Sequence, residues 1–300
     1  MNHIVLIGHG KMGSALAKGW VKENSKYKIS IIEKEELLLN YKKFTNVKVY
    51  KNFNEFFTEN KKIDFIVLAI KPQQLNEIKN DILKFQNKST VFISILAGKS
   101  VSWFKENISN EIKIVRAMPN LPASISRGVT AIYCSSSILP NEKPIIEELL
   151  SSIGIVSFVS NEEQIDLITA ISGSGPAYFF YLTEALTEIA ISLGISKDEA
   201  TNFAKNTFIG SAILLDSDKS NNATSLRKNV TSPGGTTEAA LKILMNEEEG
   251  LKVILKKASK IFSKYVASSS LISLFNKINI SSSIFELNNF KYSNLLISSL

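Results

Sequence analysis

The chain has 300 residues, of which 44% are hydrophobic and 21% are charged, an ordinary composition for a globular protein of about two domains. Its net charge is +7, but no long block of like charges occurs, which argues against a nucleic-acid-binding tail. One cysteine and two histidines exclude an intrachain disulfide and leave almost no material for a zinc site or a histidine base, so we expect no bound metal.

Short apolar runs alternate with helical patterns through the first half of the chain. The runs are rich in β-branched residues and nearly continuous, as is typical of strands covered on both faces. They predict a parallel sheet with crossover helices, which the last two runs would extend at its edge. The predicted strands are Ile4–Ile7, Ile29–Ile32, Val47–Val49, Phe65–Ile70, Val91–Ile95, Ile112–Val115, Val129–Tyr133 and Ile155–Val159. The predicted helices between them include Met12–Lys22, Gln74–Phe85 and Lys143–Ser152.

A glycine-rich turn directly follows the first predicted strand and opens the first predicted helix. In this context the pattern G-x-G-x-x-G indicates a dinucleotide site. The glycines would allow a tight turn, approach of the pyrophosphate and packing of the helix on the strand, while the helix N-terminus would supply free amides to the phosphates. The predicted cofactor-binding residues here are Gly8, His9, Gly10, Lys11, Met12 and Gly13.

An acidic residue ends the second predicted strand. Glu33 lies where a carboxylate normally binds the ribose hydroxyls of NAD and repels the additional phosphate of NADP. Lys34 follows at once and could pair with that phosphate, although the two residues could also form a solvated surface pair. We expect both residues to contact the cofactor, and the choice between NADH and NADPH stays open.

Further candidate residues follow the carboxyl ends of three later strands, the edge at which parallel sheets bind ligands. Pro72 would fix a loop there, Gly98 would let the backbone approach the nicotinamide, and Lys71 is either a ligand or a solvated charge. The candidates are Ala69, Ile70, Lys71, Pro72, Ala97, Gly98 and, in the segment Arg116–Asn120 after the sixth strand, Asn120.

The spacing of apolar residues becomes helical near Asn161 and stays so to Ser268. Asn161 with Gln164 resembles a capped helix start, Pro176 suits a first helical turn, and Gly194 suits a helix end. The predicted helices are Pro176–Leu193, Asp198–Asp216, Thr236–Met245 and Gly250–Ser268.

The helix predicted from Pro176 is apolar around most of its circumference. Because a region of about 110 residues buries few such helices alone, we expect a second copy of the chain to cover them. Glu184 and Glu188 interrupt this helix, and no basic region precedes an apolar segment at the N-terminus. We therefore expect no membrane span, no signal peptide and a cytoplasmic location. Residues 269–300 are too apolar for a typical disordered segment and have no functional interpretation.

Two segments rich in glycine and hydroxyl side chains have features of a small-ligand site. Asp166–Tyr178 places glycines and serines before a long helix, whose N-terminus suits a carboxylate. Thr231–Thr237 combines a proline, two adjacent glycines and hydroxyls that can bond to a ligand at short range. By itself, Thr231–Thr237 would more simply be a glycine turn between helices.

Together these two segments resemble the signature of the pyrroline-5-carboxylate reductase family. Gly8–Gly13, Ala69–Pro72, Arg116–Asn120 and Leu226–Val230 resemble that family's segments in the same order, over about residues 3–267. The resemblance implies an α/β fold, with a Rossmann-type NAD(P)-binding domain at 1–160, an all-α substrate-binding and dimerisation domain at 161–268, and a tail at 269–300. It implies reduction of 1-pyrroline-5-carboxylate to L-proline, the last step of proline biosynthesis, with NADPH or NADH. It also implies a homodimer, which in this family often assembles further as five dimers.

The same resemblance implies the remaining site residues. Asn229 would reach the cofactor across the dimer, and Thr237 would form a hydrogen bond to the ring nitrogen, a role compatible with a helix-capping hydroxyl. Because a cyclic iminium accepts hydride readily, the reaction would need no histidine base. The implied substrate-binding residues are Ser174, Gly175, Gly235, Thr236 and Thr237.

Two departures and two alternatives accompany this interpretation. Leu121 replaces the threonine usual after Met-Pro-Asn, and Glu33 is unusual where many members carry serine or arginine, which favours NADH. A β-hydroxyacid dehydrogenase needs a helix lysine with an asparagine four residues on, but Lys205 is followed directly by Asn206. A dinucleotide-binding regulatory protein without catalysis would not need the intact loop Ser232–Thr237.

Overall fold

The computed structural model describes residues 1–22, 27–33, 41, 43–59, 62–85 and 89–259. Lys34 and the predicted tail 269–300 lie outside the described residues, as does the end of the helix predicted to reach Ser268. Residues Met1–Ile254 form one compact unit. The sheet and the first ten α-helices belong to that unit.

An eight-stranded sheet forms the first half of the molecule. Its strands lie in the order β3-β2-β1-β4-β5-β6-β7-β8. β1 therefore lies inside the sheet between β2 and β4, and β7 and β8 extend one edge as predicted. Ile4 of β1 pairs with Ile29 of β2 on one side and with Phe65 of β4 on the other, both in parallel register. The strands are β1 Asn2–Ile7, β2 Tyr27–Ile32, β3 Val47–Tyr50, β4 Phe65–Leu68, β5 Val91–Ser94, β6 Lys113–Met118, β7 Gly128–Cys134 and β8 Gly154–Phe158.

Helices cover both faces of this sheet. Alternate residues of β1 enter two separate cores, since Ile4 and Leu6 belong to one and Val5 and Ile7 to the other. In the first core, the indole of Trp20 donates a hydrogen bond to the Leu149 carbonyl oxygen at 2.8 Å and so joins α1 to α5. The helices of this half are α1 Lys11–Lys22, α2 Phe53–Glu59, α3 Lys79–Lys84, α4 Val101–Asn107 and α5 Lys143–Ser151.

The sheet departs from the predicted parallel arrangement at one step, because β6 and β7 run antiparallel. Residues 119–127 connect them, mostly through a short 3₁₀ turn at Leu121–Ile125. A parallel connection needs a crossover of about a dozen residues or more. The connection is too short for that crossover, so the chain reverses direction.

The helix predicted at Gln74–Phe85 is also interrupted. A 3₁₀ turn at Pro72–Leu75 precedes α3, which begins only at Lys79. The tighter turn is held by the hydrogen bond from the Gln74 amide to the Lys71 carbonyl oxygen at 2.9 Å. Leu75 in the 3₁₀ turn and Ile82 in α3 are both fully buried, so the interruption keeps both elements packed on the core.

All regular elements described after β8 are helical. The predicted capping pair is confirmed: the amide of Gln164 donates to Asn161 Oδ1 at 3.1 Å, and that of Asn161 donates to Gln164 Oε1 at 3.4 Å. A π-helical turn, Thr169–Gly173, joins the first two helices. The helices are α6 Glu163–Ile168, α7 Gly175–Ser192, α8 Lys197–Ser217, α9 Ala223–Asn229, α10 Thr236–Leu244 and α11 at residues 251–259.

Helix α7 exposes much of its apolar surface. Phe180 and Ile189 are each 55% exposed and Tyr181 is 71% exposed. Contiguous apolar surface of this kind marks an interaction site. Among the described residues, no helix is both long and apolar enough to cross a membrane.

Candidate functional site

A cleft of about 480 Å³ lies at the carboxyl ends of β1, β2, β3 and β4. It forms there because these strands end together at one edge of the sheet, where backbone amides and loop side chains face outward. The cleft brings together most of the residues predicted to bind the cofactor, namely Gly8, His9, Gly10, Lys11, Met12, Glu33, Ala69, Ile70 and Lys71. Among the cofactor candidates in the described part of the chain, Gly13, Pro72, Ala97, Gly98, Asn120 and Asn229 do not line it.

The glycine turn has the geometry that a pyrophosphate requires. Gly8 has φ +92°, and a Cβ there would lie 2.7 Å from the carbonyl oxygen of Ala69. A Cβ on Gly13 would approach the carbonyl oxygen of Gly8 within 3.0 Å, so α1 can come this close to β1 only without a side chain. At Gly10, by contrast, no atom lies within 4 Å of an added Cβ. This open space in front of the α1 N-terminus fits a bound dinucleotide.

Glu33 and His9 form the wall of the cleft at the end of β2. Glu33 Oε2 accepts a hydrogen bond from the His9 amide at 2.6 Å. The imidazole Nε2 of His9 lies 2.8 Å from the hydroxyl of Tyr41. Burial lowers the pKa of His9 below its usual value and outweighs the opposing attraction of Glu33. The His9 imidazole in this wall is therefore neutral at neutral pH.

Some residues of the cleft were not among the predicted ones. Lys51, Asn52 and Phe53 follow β3 and line the cleft. Gln74 and Glu77 line it next to Lys71. The first group could have been predicted from the sequence, since parallel sheets bind ligands at the carboxyl ends of their strands and this applies to β3 as well as to β4. The second group depends on the 3₁₀ turn, which the sequence pattern did not predict.

The loop after β5 lies apart from this cleft. Ala97 and Gly98 are exposed, and Gly98 has φ +70°. Two residues later, Ser100 caps α4 by accepting a hydrogen bond from the Trp103 amide at 3.1 Å. The structure therefore places the predicted nicotinamide loop directly before the N-terminus of α4.

The side-chain amide of Asn120 forms hydrogen bonds within the chain through both its nitrogen and its oxygen. Its Nδ2 donates to the Ser172 carbonyl oxygen at 3.0 Å, and its Oδ1 accepts from the Val129 amide at 2.8 Å. Asn120 is only 8% exposed. Its predicted contact with the cofactor stays a prediction, while the structure gives it a definite part in joining β7 to the π-helical turn.

The first predicted substrate segment is held in an unusual helical form. The amide of Ser174 donates to the carbonyl oxygen of Thr169 at 3.0 Å, which closes the wider π-helical turn. The hydroxyl of Tyr178 donates to the Ala170 carbonyl oxygen at 3.2 Å. Gly175 is buried and Ser174 half-buried at the start of α7. Single π-turns inside helices frequently occur at functional sites.

The second predicted substrate segment is an ordered turn at the surface. Gly234 has φ +72°, which favours glycine, and its amide donates to Glu238 Oε2 at 2.9 Å. Thr236 and Thr237 begin α10 and are exposed, as is Asn229 at the end of α9. Asn229, Thr236 and Thr237 do not line the cleft beside the glycine turn. A single copy of the chain thus does not gather all the predicted site residues into one pocket.

No group of three or more histidine, cysteine, aspartate or glutamate side chains in the described part of the chain could hold a metal ion. Cys134 ends β7, where burial raises the pKa of its thiol. It is therefore protonated at neutral pH.

Comparison with known proteins adds two family matches. Residues 162–264 match the family model described as "Pyrroline-5-carboxylate reductase dimerisation". Residues 3–98 match the model described as "NADP oxidoreductase coenzyme F420-dependent". The first match covers the helical region that begins at α6, and the second covers the part of the sheet that carries the glycine turn.

Curated relatives align over most of this chain. The pyrroline-5-carboxylate reductase of Mycobacterium tuberculosis is 34% identical over 267 residues, which is 81% of this chain and 89% of the relative. Pyrroline-5-carboxylate reductase 2 of Bacillus subtilis is 32% identical over 267 residues, covering 87% and 94% of the two chains.

Solved structures agree in fold. The pyrroline-5-carboxylate reductase of Coxiella burnetii superposes with a TM-score of 0.77 at 31% identity, covering 89% of this chain and 97% of the other. The Plasmodium falciparum pyrroline carboxylate reductase, solved with NADP bound, has a TM-score of 0.73 at 26% identity, covering 89% and 98%.

Proposed function

Because this chain belongs to the pyrroline-5-carboxylate reductase family, we propose that it reduces 1-pyrroline-5-carboxylate to L-proline with NADPH or NADH. The observation that carries the proposal is that the likeness covers both the cofactor-binding half and the proposed substrate-binding segments. The family matches at residues 3–98 and 162–264 include the glycine turn, the loop after β4 and the Ser232–Thr237 loop.

The cleft at the glycine turn would hold the dinucleotide. The amides at the start of α1 would face the pyrophosphate, in the open space at Gly10, and Lys11 would add a positive charge beside it. Glu33 would accept hydrogen bonds from the adenosine ribose, since its carboxylate lines the same cleft. When bound, the cofactor supplies the hydride. Ala97, Gly98, Pro72 and Asn120 would also lie along the cofactor.

The imino acid would be held by the two glycine-rich segments. Ser174 and Gly175 lie at the α7 N-terminus, where the positive end of the helix dipole favours a carboxylate. Gly235, Thr236 and Thr237 would bind the carboxylate and ring, and Thr237 would orient the ring nitrogen through its hydroxyl. These groups position the iminium carbon for hydride transfer and exclude water, and no side chain has to act as a strong base.

The second copy of the chain would complete this site. The chain carries the family's dimerisation region, and its exposed apolar residues on α7 support burial against a partner. Since Asn229 and Thr237 lie away from the cleft in their own chain, we infer that the partner's loop reaches the cofactor of the first copy. Assembly of five such dimers, a cytoplasmic location and a domain boundary between residues 160 and 161 remain proposals.

One incubation tests the proposed function. The purified protein is mixed with 1-pyrroline-5-carboxylate and either NADPH or NADH, and loss of absorbance of the reduced cofactor is followed together with formation of proline. Oxidation of at least one cofactor with matching proline supports the proposal. A protein that binds the cofactor but yields no proline with either would be a regulatory protein, and oxidation of a β-hydroxyacid instead would identify the dehydrogenase alternative.

A further inference from the structure

Arg116 is a buried arginine that holds two carboxylates from another part of the chain. It lies in β6 and is 5% exposed. Its NH2 group donates to Asp166 Oδ1 at 2.6 Å, and its NH1 group donates to Glu162 Oε1 at 3.1 Å. Asp166 lies in α6, and Glu162 is the residue immediately before that helix. The planar guanidinium therefore fixes the angle as well as the distance between β6 and α6.

Glu162 has a second partner on a third element. The same oxygen, Oε1, accepts a hydrogen bond from the amide of Val101 at 2.8 Å. Val101 is the first residue of α4, so the carboxylate also lies at the positive end of that helix. The loop Ala97–Gly98 ends only three residues before Val101. Glu162 thus ties the start of α4, and with it that loop, to Arg116.

The chain leaving α6 leads without a break to the other predicted ligand segment. The π-helical turn Thr169–Gly173 follows α6, and Ser174 and Gly175 follow that turn. Asn120, two residues after β6, holds this stretch a second time, because its Nδ2 donates to the Ser172 carbonyl oxygen at 3.0 Å. The chain that leads to Ser174 and Gly175 is therefore held both by β6 and by the residues just after it.

We propose that Arg116, Glu162 and Asp166 form a positioning cluster that sets the separation between the loop Ala97–Gly98 and the segment Ser174–Gly175. The proposal rests on the proposed function, in which the loop lies along the nicotinamide and the segment lies beside the imino acid. Arg116 is buried while the two carboxylates are partly exposed, and a buried charge is a poor device for stability alone, since apolar residues of similar volume often stabilise as well or better. The cluster's geometric precision suits a reaction that depends on the distance between two bound molecules.

Asp166→Asn is the mildest test, because the amide keeps the size of the side chain and one oxygen while it removes the charge. We expect kcat to fall by about 10-fold to 100-fold, the range in which small displacements of reacting groups act. The dissociation constant for NADPH and the KM for the imino acid should change by less than about threefold, because the binding groups themselves remain. Arg116→Lys, which keeps the charge but loses the planar fork, should give the same pattern.

Amide hydrogen exchange supplies a readout that needs no activity. In both variants, peptides covering residues 97–101 and 169–175 should exchange faster than in the wild type, with or without NADPH. Peptides from β1 should not change. Arg127→Met is the matched control, since Arg127 pairs with Asp216 at 3.2 Å but its side chain is 73% exposed. The control should keep wild-type kcat and wild-type exchange in both segments.

Three results would overturn the proposal: unchanged exchange in both segments, unchanged kcat in both variants, or a loss of activity that only follows the fraction of unfolded protein. Failure of the proposed function is a separate result, because the wild type itself would then form no proline. In that case the exchange comparison still decides whether the cluster holds the two segments.

Discussion

Alanine at Gly13 should destabilise the folded protein, whereas alanine at Gly10 should not. The two glycines belong to the same turn, but their surroundings differ. A Cβ at Gly13 would lie closer than 3.0 Å to the carbonyl oxygen of Gly8 and 3.3 Å from the Cβ of Ala69. A Cβ at Gly10 would have no atom within 4 Å. The pair therefore separates the packing role of one glycine from the ligand-binding role of the other.

The expected size of each effect follows from these contacts. Overpacking typically costs about 1–3 kcal/mol, and alanine recovers about 0.5–1 kcal/mol through its helix propensity at Gly13 in α1. Because the clash at Gly13 is with backbone atoms, the cost lies near the upper end of that range, and the net loss of about 2 kcal/mol corresponds to a decrease in Tm of about 4–8 °C. At Gly10, alanine should leave Tm unchanged or raise it slightly, because it restricts the unfolded chain.

Thermal unfolding at a fixed subunit concentration and titration with NADPH are the two measurements. Gly10→Ala should weaken NADPH binding at least tenfold, since its methyl group would occupy the space proposed for the pyrophosphate. Gly13→Ala should lower Tm. The reasoning would be refuted by a Gly13→Ala variant that melts like the wild type, or by a Gly10→Ala variant that binds NADPH normally.

Four further predictions concern the substrate, the cofactor, the assembly and pH. Thr237→Ala should lower kcat about tenfold with little change in the NADPH dissociation constant, and a selective loss of cofactor binding would contradict the assignment. Glu33→Ser should shift the ratio of kcat/KM for NADPH over NADH upward by about tenfold, because it removes a negative charge from the proposed ribose site; an unchanged ratio would argue against that role. The wild type should sediment as a dimer or larger and Ile189→Asp as a smaller species, so that an active wild-type monomer would refute the proposed interface. Burial lowers the pKa of His3, so the folded state binds fewer protons than the unfolded state and stability should fall as the pH drops below about 6.5; His3→Gln should make this fall in Tm shallower, and an identical slope would contradict it.

The local patterns of the sequence were sufficient for most of the fold. The eight apolar runs correspond to the eight strands, and the central strands are apolar along their whole length because they are buried on both faces. The glycine turn was also predictable, since its spacing is a local pattern that includes the close contact between Gly8 and Gly13. The resemblance to the family is likewise a property of the sequence, and the alignments with relatives confirm it.

Where the prediction was wrong, the cause was a constraint that spans elements. The antiparallel direction of β7 follows from the short connection 119–127, and a 3₁₀ turn at Pro72–Leu75 replaces the start of the helix predicted from Gln74. Lys51 and Phe53 joined the cleft because β3 ends at the same edge as β1, although about forty residues separate them in the chain.

The amino-acid sequence by itself therefore determined the class of fold, the nucleotide turn and the family. Only the tertiary structure decided that Arg116 faces Glu162 and Asp166, that Glu162 also reaches α4, and that the apolar residues of α7 stay exposed in a single copy. The physical reason is that periodicity and turn chemistry act over a few residues. Ion pairs and buried surfaces depend instead on which distant segments the packed sheet and helices bring within a few ångströms of one another.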